Sequence, residues 1–120
     1  MFWIALAAGS GALAVAAGAY GAHGLRGRVT EGLLSSWITA ADYHLLHSVV
    51  LLALGLYALS TRKSVALPGS LFALGILLFS GSIYGLVLAQ QGWLAPLTPI
   101  GGLFLLGGWL AVLWLARSAS

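Results

Sequence analysis

Residues 42–59 read DYHLLHSVVLLALGLYAL. An acid, a phenol and two imidazoles are followed by a run with no charge at all. An α-helix rises 1.5 Å per residue, so about 20 apolar residues cross a hydrocarbon layer about 30 Å thick. Residues 41–59 approach that length. Working outward, residues 2–22, 67–89 and 100–116 form three more such runs, the last with Leu97 as an alternative start. Four long apolar runs predict an all-α integral membrane bundle of four transmembrane helices, a single domain over residues 1–120.

Composition agrees with this. The 120 residues are 61% hydrophobic and 6% charged, against roughly 25% charged in a soluble domain. Five basic and two acidic side chains could not solvate the surface of a water-soluble fold of this size. The basic residues, Arg26, Arg28, Arg62, Lys63 and Arg117, lie near the ends of the runs. A nucleic-acid binder gathers them on one face instead, so the expected partner is the lipid bilayer and not nucleic acid. Without cysteine there is no disulfide, thiol chemistry or thiolate-bound metal. Residues 2–22 have no basic segment before them, as a cleaved signal would, and are expected to stay as the first span.

The connections differ in character. STRKS, residues 60–64, is a short basic turn, whereas QQGWLAPLTP, residues 90–99, carries no charge. The first connection is longer. In it Leu33, Leu34, Trp37, Ile38 and Ala41 fall on one helical face, after Thr30 as a helix cap and Glu31 in the first turn. This predicts a short interfacial amphipathic helix between the first and second spans, its apolar face toward lipid. The competing reading is that it extends the second span into solvent. Arg62, Lys63 and Arg117 fall on one side of the membrane and Arg26 and Arg28 on the other. The positive-inside rule then places the N- and C-termini in the cytoplasm.

Small residues are abundant. Ala5, Gly9, Ala12 and Ala16 share one side of the first span, Gly81 and Gly85 form a G-x-x-x-G pair in the third, and Gly101, Gly102, Gly107 and Gly108 lie in the fourth. Helices in lipid associate by close backbone approach rather than by a hydrophobic force. Gly9, Gly81, Gly85, Gly101 and Gly102 are therefore expected at helix contacts, with docking onto another membrane subunit, or onto a second copy, as a further use.

The polar residues at membrane depth need partners. Tyr43 and His47 are four apart, and His44 and His47 three apart, so they share a helical face. With the second span starting near Ala41, this Tyr–His–His stripe is expected one or two turns deep; Asp42 points away from His44 but is expected near the membrane surface. Antiparallel neighbours would bring His23, at the end of the first span, beside His47. A charged group at the centre of a span costs about 2.5–3.5 kcal/mol on insertion scales. A neutral imidazole costs less but still wants a partner for each nitrogen. In the third span Ser80 shares a face with Tyr84, and its hydroxyl can bond its own helix or a histidine. Thr98 and Pro99 read as the entry of the fourth span, Thr98 as its cap. The expected cluster is His23, Tyr43, His44, His47, Ser80, Ser82 and Tyr84, with no catalytic residue, no metal and no cofactor. Metal or haem ligation by the histidines, and a proton or quinone site on the Tyr–His pair, are the chemical alternatives.

Together GAYGAHGL (18–25), W-x-T-A-x-x-Y-x-x-x-H (37–47), FSGSIYGLVL (79–88) and TPIGGLFLLGGW (98–109) resemble one family. It is the YgdD/YwdK-like family of small membrane proteins, domain of unknown function 423, which is similar to a eukaryotic transmembrane protein 256. The resemblance covers nearly the whole chain and implies a four-span protein of a bacterial inner membrane. It supplies no activity. His23, Tyr43, His47, Ser80, Ser82, Tyr84, Thr98 and Pro99 fall on its motif positions. His44 departs from the pattern, where the resemblance leads one to expect glutamine, which weakens a metal site needing both His44 and His47. The leading expectation is a non-enzymatic accessory or scaffolding component of a larger membrane complex. The alternatives are a small transport or proton-conducting protein, or a quinone- or haem-binding redox accessory, using His23, Tyr43 and His47.

Overall fold

The computed structural model describes residues 1–119. Helix α1 runs Phe2–His23, α2 Glu31–Thr61, α3 Ala66–Ala89 and α4 Leu97–Ala119, with a short 3-10 turn at Gly92–Leu94 before α4. There is no strand among the described residues. All four helices are long and apolar enough to cross a membrane. The first, 22 residues, spans about 33 Å. The outer surface carries Leu13, Leu77, Leu103 and Leu113, each more than 60% exposed, which is a face for acyl chains rather than water.

Local chemistry sets the ends. The Thr30 hydroxyl accepts from the Leu33 amide at 3.2 Å and caps α2, as expected from its position before Glu31. α2 ends at Arg62, whose φ of 63° is left-handed and whose amide donates to Ala58. Pro68 sits in the first turn of α3, where a missing N–H costs little. Gln90, at φ 54°, closes that helix. The fourth helix does begin at Leu97, so Thr98 and Pro99 lie in its first turn.

One expected element is absent. Residues 31–41 are not a separate interfacial helix; they are the first three turns of α2, which continues unbroken to Thr61. No proline interrupts residues 31–61, and a single buried stripe runs through Leu34, Trp37, Ala41, His44, Ser48, Leu51 and Gly55. The apolar face read as lipid-facing is turned largely into the protein. Trp37 is buried, and its indole N–H donates to the Ala17 carbonyl at 2.7 Å. Gly21 makes room for it: a Cβ there would lie 2.6 Å from the indole Cδ1.

Packing runs α1 on α2, α2 on α3 and α3 on α4. Trp3 of α1 also reaches Gly69 of α3. Two apolar clusters form the interior. One gathers Leu51, Leu54, Phe72, Ile76 and Leu105; the other, nearer the α1–α2 loop, gathers Leu25, Leu34, Trp37, Ile83 and Val87. The buried polar residues lie between them.

The glycines divide. At Gly101 α4 presses on the α3 backbone at Leu78 and Phe79, leaving no room for any Cβ. Gly102 makes an ordinary contact, 3.8 Å from the Phe79 ring. Gly85 meets Leu94 of the 3-10 turn, not another spanning helix. Gly81 meets only Leu77 of its own helix and Gly9 meets nothing within 4 Å, so neither packs a helix pair. The G-x-x-x-G spacing sets Gly81 and Gly85 one turn apart, but α4 crosses α3 at Phe79 and Gly75. Gly55, Gly69, Gly75 and Gly108 carry close contacts instead.

Candidate functional site

The buried histidines, with Ser48 and Ser80, sit near the middle of their helices and not at the mouth of a span. Ser10 of α1 is bonded to Ser48 of α2, and Gly21 lies against Trp37, which fixes the antiparallel register. Ser80 of α3 donates to the Ala40 carbonyl, which fixes the next pair. His44 is ~20 Å along α2 from Glu31 and faces the middle of α1. The expectation of a shallow site fails because α2 starts at Glu31 and not near Ala41. The same register separates two residues expected to meet. His23 is exposed and lies about three turns from the level of His47.

The hydrogen bonds around His44 have only one consistent direction. Ser48 donates to the His44 carbonyl at 2.7 Å, since a carbonyl can only accept. Its one hydrogen is then spent, so Ser10 must donate across the 2.6 Å bond to Ser48. Ser10 in turn has no hydrogen left for His44, and the 3.1 Å contact is donated by Nε2–H of the imidazole. A neutral ring then presents a bare Nδ1, which accepts the Tyr84 hydroxyl at 3.0 Å. The sequence of donors is Tyr84, His44, Ser10, Ser48, and back to the His44 backbone. It ties α3 to α2 and α2 to α1.

His47 is fixed in the opposite tautomer. Its Nδ1 lies 2.7 Å from the Tyr43 carbonyl and donates to it. Nε2 is then bare and accepts the Trp109 indole N–H at 3.1 Å. Phe72 packs against both rings, with centroids 5.6 Å from His47 and 5.4 Å from Trp109. Both nitrogens of each buried imidazole are committed to protein groups, so a metal or haem iron would have to break one of these bonds first.

The other expected members are placed as follows. Tyr43 gives the site its carbonyl and its ring, which stacks on Phe79 at 4.8 Å. Ser80 bonds neither its own helix nor a histidine but the Ala40 carbonyl of α2, at 2.7 Å. Ser82 donates to Phe79 of its own helix at 2.9 Å, so Thr98 donates to Ser82 across 2.6 Å. Thr98 is thus a cross-link between α3 and α4 rather than a cap. Its spacing before Pro99 suggested a cap, but its hydroxyl faces the neighbouring helix. Sequence reasoning missed Ser10, Ser48, Trp37 and Trp109. Ser48, four residues after His44, was findable as a back-bonding serine; Trp109 depends on a register no local pattern reveals.

Comparison with known proteins gives the chain's family. The profile described as "Protein of unknown function (DUF423)" matches residues 17–102. A UPF0382 membrane protein of Staphylococcus aureus is 40% identical over 111 residues, covering 92% of this chain and 91% of its own. One from Schizosaccharomyces pombe is 45% identical over 114 residues, covering 90% and 95%. YwdK of Bacillus subtilis is 39% identical over 112 residues, covering 92% and 91%. No solved structure matches. With its four membrane-length helices and these relatives, the chain belongs to the DUF423 family of UPF0382 membrane proteins.

Proposed function

We propose that the protein is a non-enzymatic accessory subunit, held in the plane of the membrane against another integral membrane protein. The observation that carries this is the closed set of hydrogen bonds at mid-depth. The chain of donors from Tyr84 returns to the backbone of His44, so it does not lead a proton from one side to the other. The lone pair of His47 is taken by Trp109. The ring nitrogens of His44 and His47 are spent on joining helices, which favours a scaffold over a conductor or a redox carrier. What remains for work is the outer surface, where Ala5, Gly9, Ala12 and Ala16 of α1 stand exposed and suit close approach by another helix. In this reading the protein lies in a bacterial inner membrane with both termini cytoplasmic. Extraction in a mild detergent followed by native gel electrophoresis and cross-linking mass spectrometry tests it. A complex of fixed composition is expected; a protein that runs only as a monomer or homo-oligomer overturns the proposal.

A further inference from the structure

Asp42 is the one acid inside a spanning segment away from its ends, and it faces outward. On α2 it lies between Ala40, whose carbonyl receives Ser80, and Tyr43, which stacks on Phe79. Those two α3 residues are close to the middle of Ala66–Ala89, so Asp42 is near mid-depth, ~16 Å along the helix from Glu31. It is exposed, on the side of α2 opposite the buried stripe of Ala40, His44 and Leu51. Its neighbours on that side are Leu45, Leu46 and Val49, 42%, 55% and 56% exposed. No hydrogen bond or ion pair reaches its carboxyl among the described residues. A side chain with one methylene cannot snorkel to the surface from this depth, and an ionisable group left facing acyl chains is costly unless something pairs with it.

The geometry points to this face of α2 as a docking surface for a transmembrane helix of another protein that carries a lysine or arginine at mid-depth. Charge complementarity selects that occupant over a second copy. This chain's own cations are all at helix ends: Arg26 and Arg28 precede α2, Arg62 and Lys63 follow it, and Arg117 is near the end of α4. Arg62 is ~30 Å along the helix from Asp42. A symmetric pair of copies would set carboxyl against carboxyl, and a parallel neighbour would offer no cation at that level. Ser35 and Thr39, exposed on the same helix toward Glu31, add hydroxyls that can bond the partner's polar groups.

This names the partner chemistry of the accessory reading above and rests on it. The test reconstitutes the full chain, labelled with an energy-transfer donor, in phosphatidylcholine vesicles. The probe is an acceptor-labelled synthetic Leu/Ala transmembrane helix with one central lysine, beside an otherwise identical helix with leucine there. Association of the lysine helix is expected to exceed the control by about tenfold. Asp42→Asn should erase that preference, and Asp42→Glu should keep most of it. No lysine preference, or a preference unchanged in Asp42→Asn, overturns the proposal. So does self-association of the chain that Asp42→Asn abolishes and the lysine helix does not compete away, because a second copy then covers the face. A native complex that survives Asp42→Asn would overturn the charge pairing while leaving the accessory reading intact.

Discussion

Trp109 of the fourth helix donates its indole N–H to Nε2 of His47 on the second, at 3.1 Å. It is the polar bond that carries α4 across to α2, since the main packing of α4 is on α3. Hydrogen bonds between membrane helices average about 0.6 kcal/mol and reach about 1.7. Trp109→Phe keeps an aromatic ring against Phe72 and removes the donor together with part of the indole's packing surface. It should destabilise the protein by roughly 0.6–1.7 kcal/mol, read from reversible unfolding in mixed micelles. A loss below 0.3 would mean that the bond is not formed in the membrane.

The two imidazoles should be told apart by nitrogen NMR. The partners of His44 require hydrogen on Nε2, and those of His47 require it on Nδ1. In 15N-histidine protein reconstituted at neutral pH, solid-state spectra should show one buried ring of each tautomer. His44→Gln and His47→Gln assign them. Two rings of the same tautomer would contradict the donor order from Tyr84 to Ser48.

Glycines of equal standing in the sequence should behave unequally. At Gly101 a side chain would run into the backbone of Leu78 and Phe79, which cannot yield without moving a helix. Gly101→Leu should cost more than ~3 kcal/mol or prevent folding, as overpacking at a backbone contact does. Gly9 has nothing within 4 Å, and Gly9→Leu should fall within about 0.5 kcal/mol of wild type or gain slightly from helix propensity. The same unfolding measurement, run on both variants, decides it.

How far the sequence could be read follows from what each pattern encodes. Hydropathy fixes whether a stretch sits in lipid and locates all four helices, while the hydroxyl of Thr30 just before Glu31 locates the cap of α2. It cannot say where an apolar face points when protein and lipid are equally apolar. The face carrying Trp37 and Leu34 therefore reads as lipid-facing, though both residues are buried against α1 and α3. Depth is hidden in the sequence for the same reason. The polar letters at residues 30–39 read as a loop and a surface helix, which puts His44 and His47 near the interface, whereas α2 holds them near its middle. Partners across helices, such as Ser10 with Ser48 or Trp109 with His47, follow from register alone. Register is decided by interdigitation that no single helix displays.

Orientation is the last prediction, and the chain is suited to it because it has no cysteine. The connections are short, so the count of lysine and arginine governs topology. Arg62, Lys63 and Arg117 lie on the side of the termini, and Arg26 and Arg28 lie in the α1–α2 loop on the other. With three against two, Arg28→Cys should be labelled by a membrane-impermeant maleimide in intact cells. Ser118→Cys, which is also exposed, should react only after permeabilisation. The reverse pattern would place the loop in the cytoplasm. Since a single charge separates the two arrangements, Arg62→Ser with Lys63→Ser leaves one basic residue against two, and this double variant should invert a substantial fraction of the molecules. Labelling of Ser118→Cys in that background, unchanged from the parent, would show that helix packing and not loop charge sets the topology.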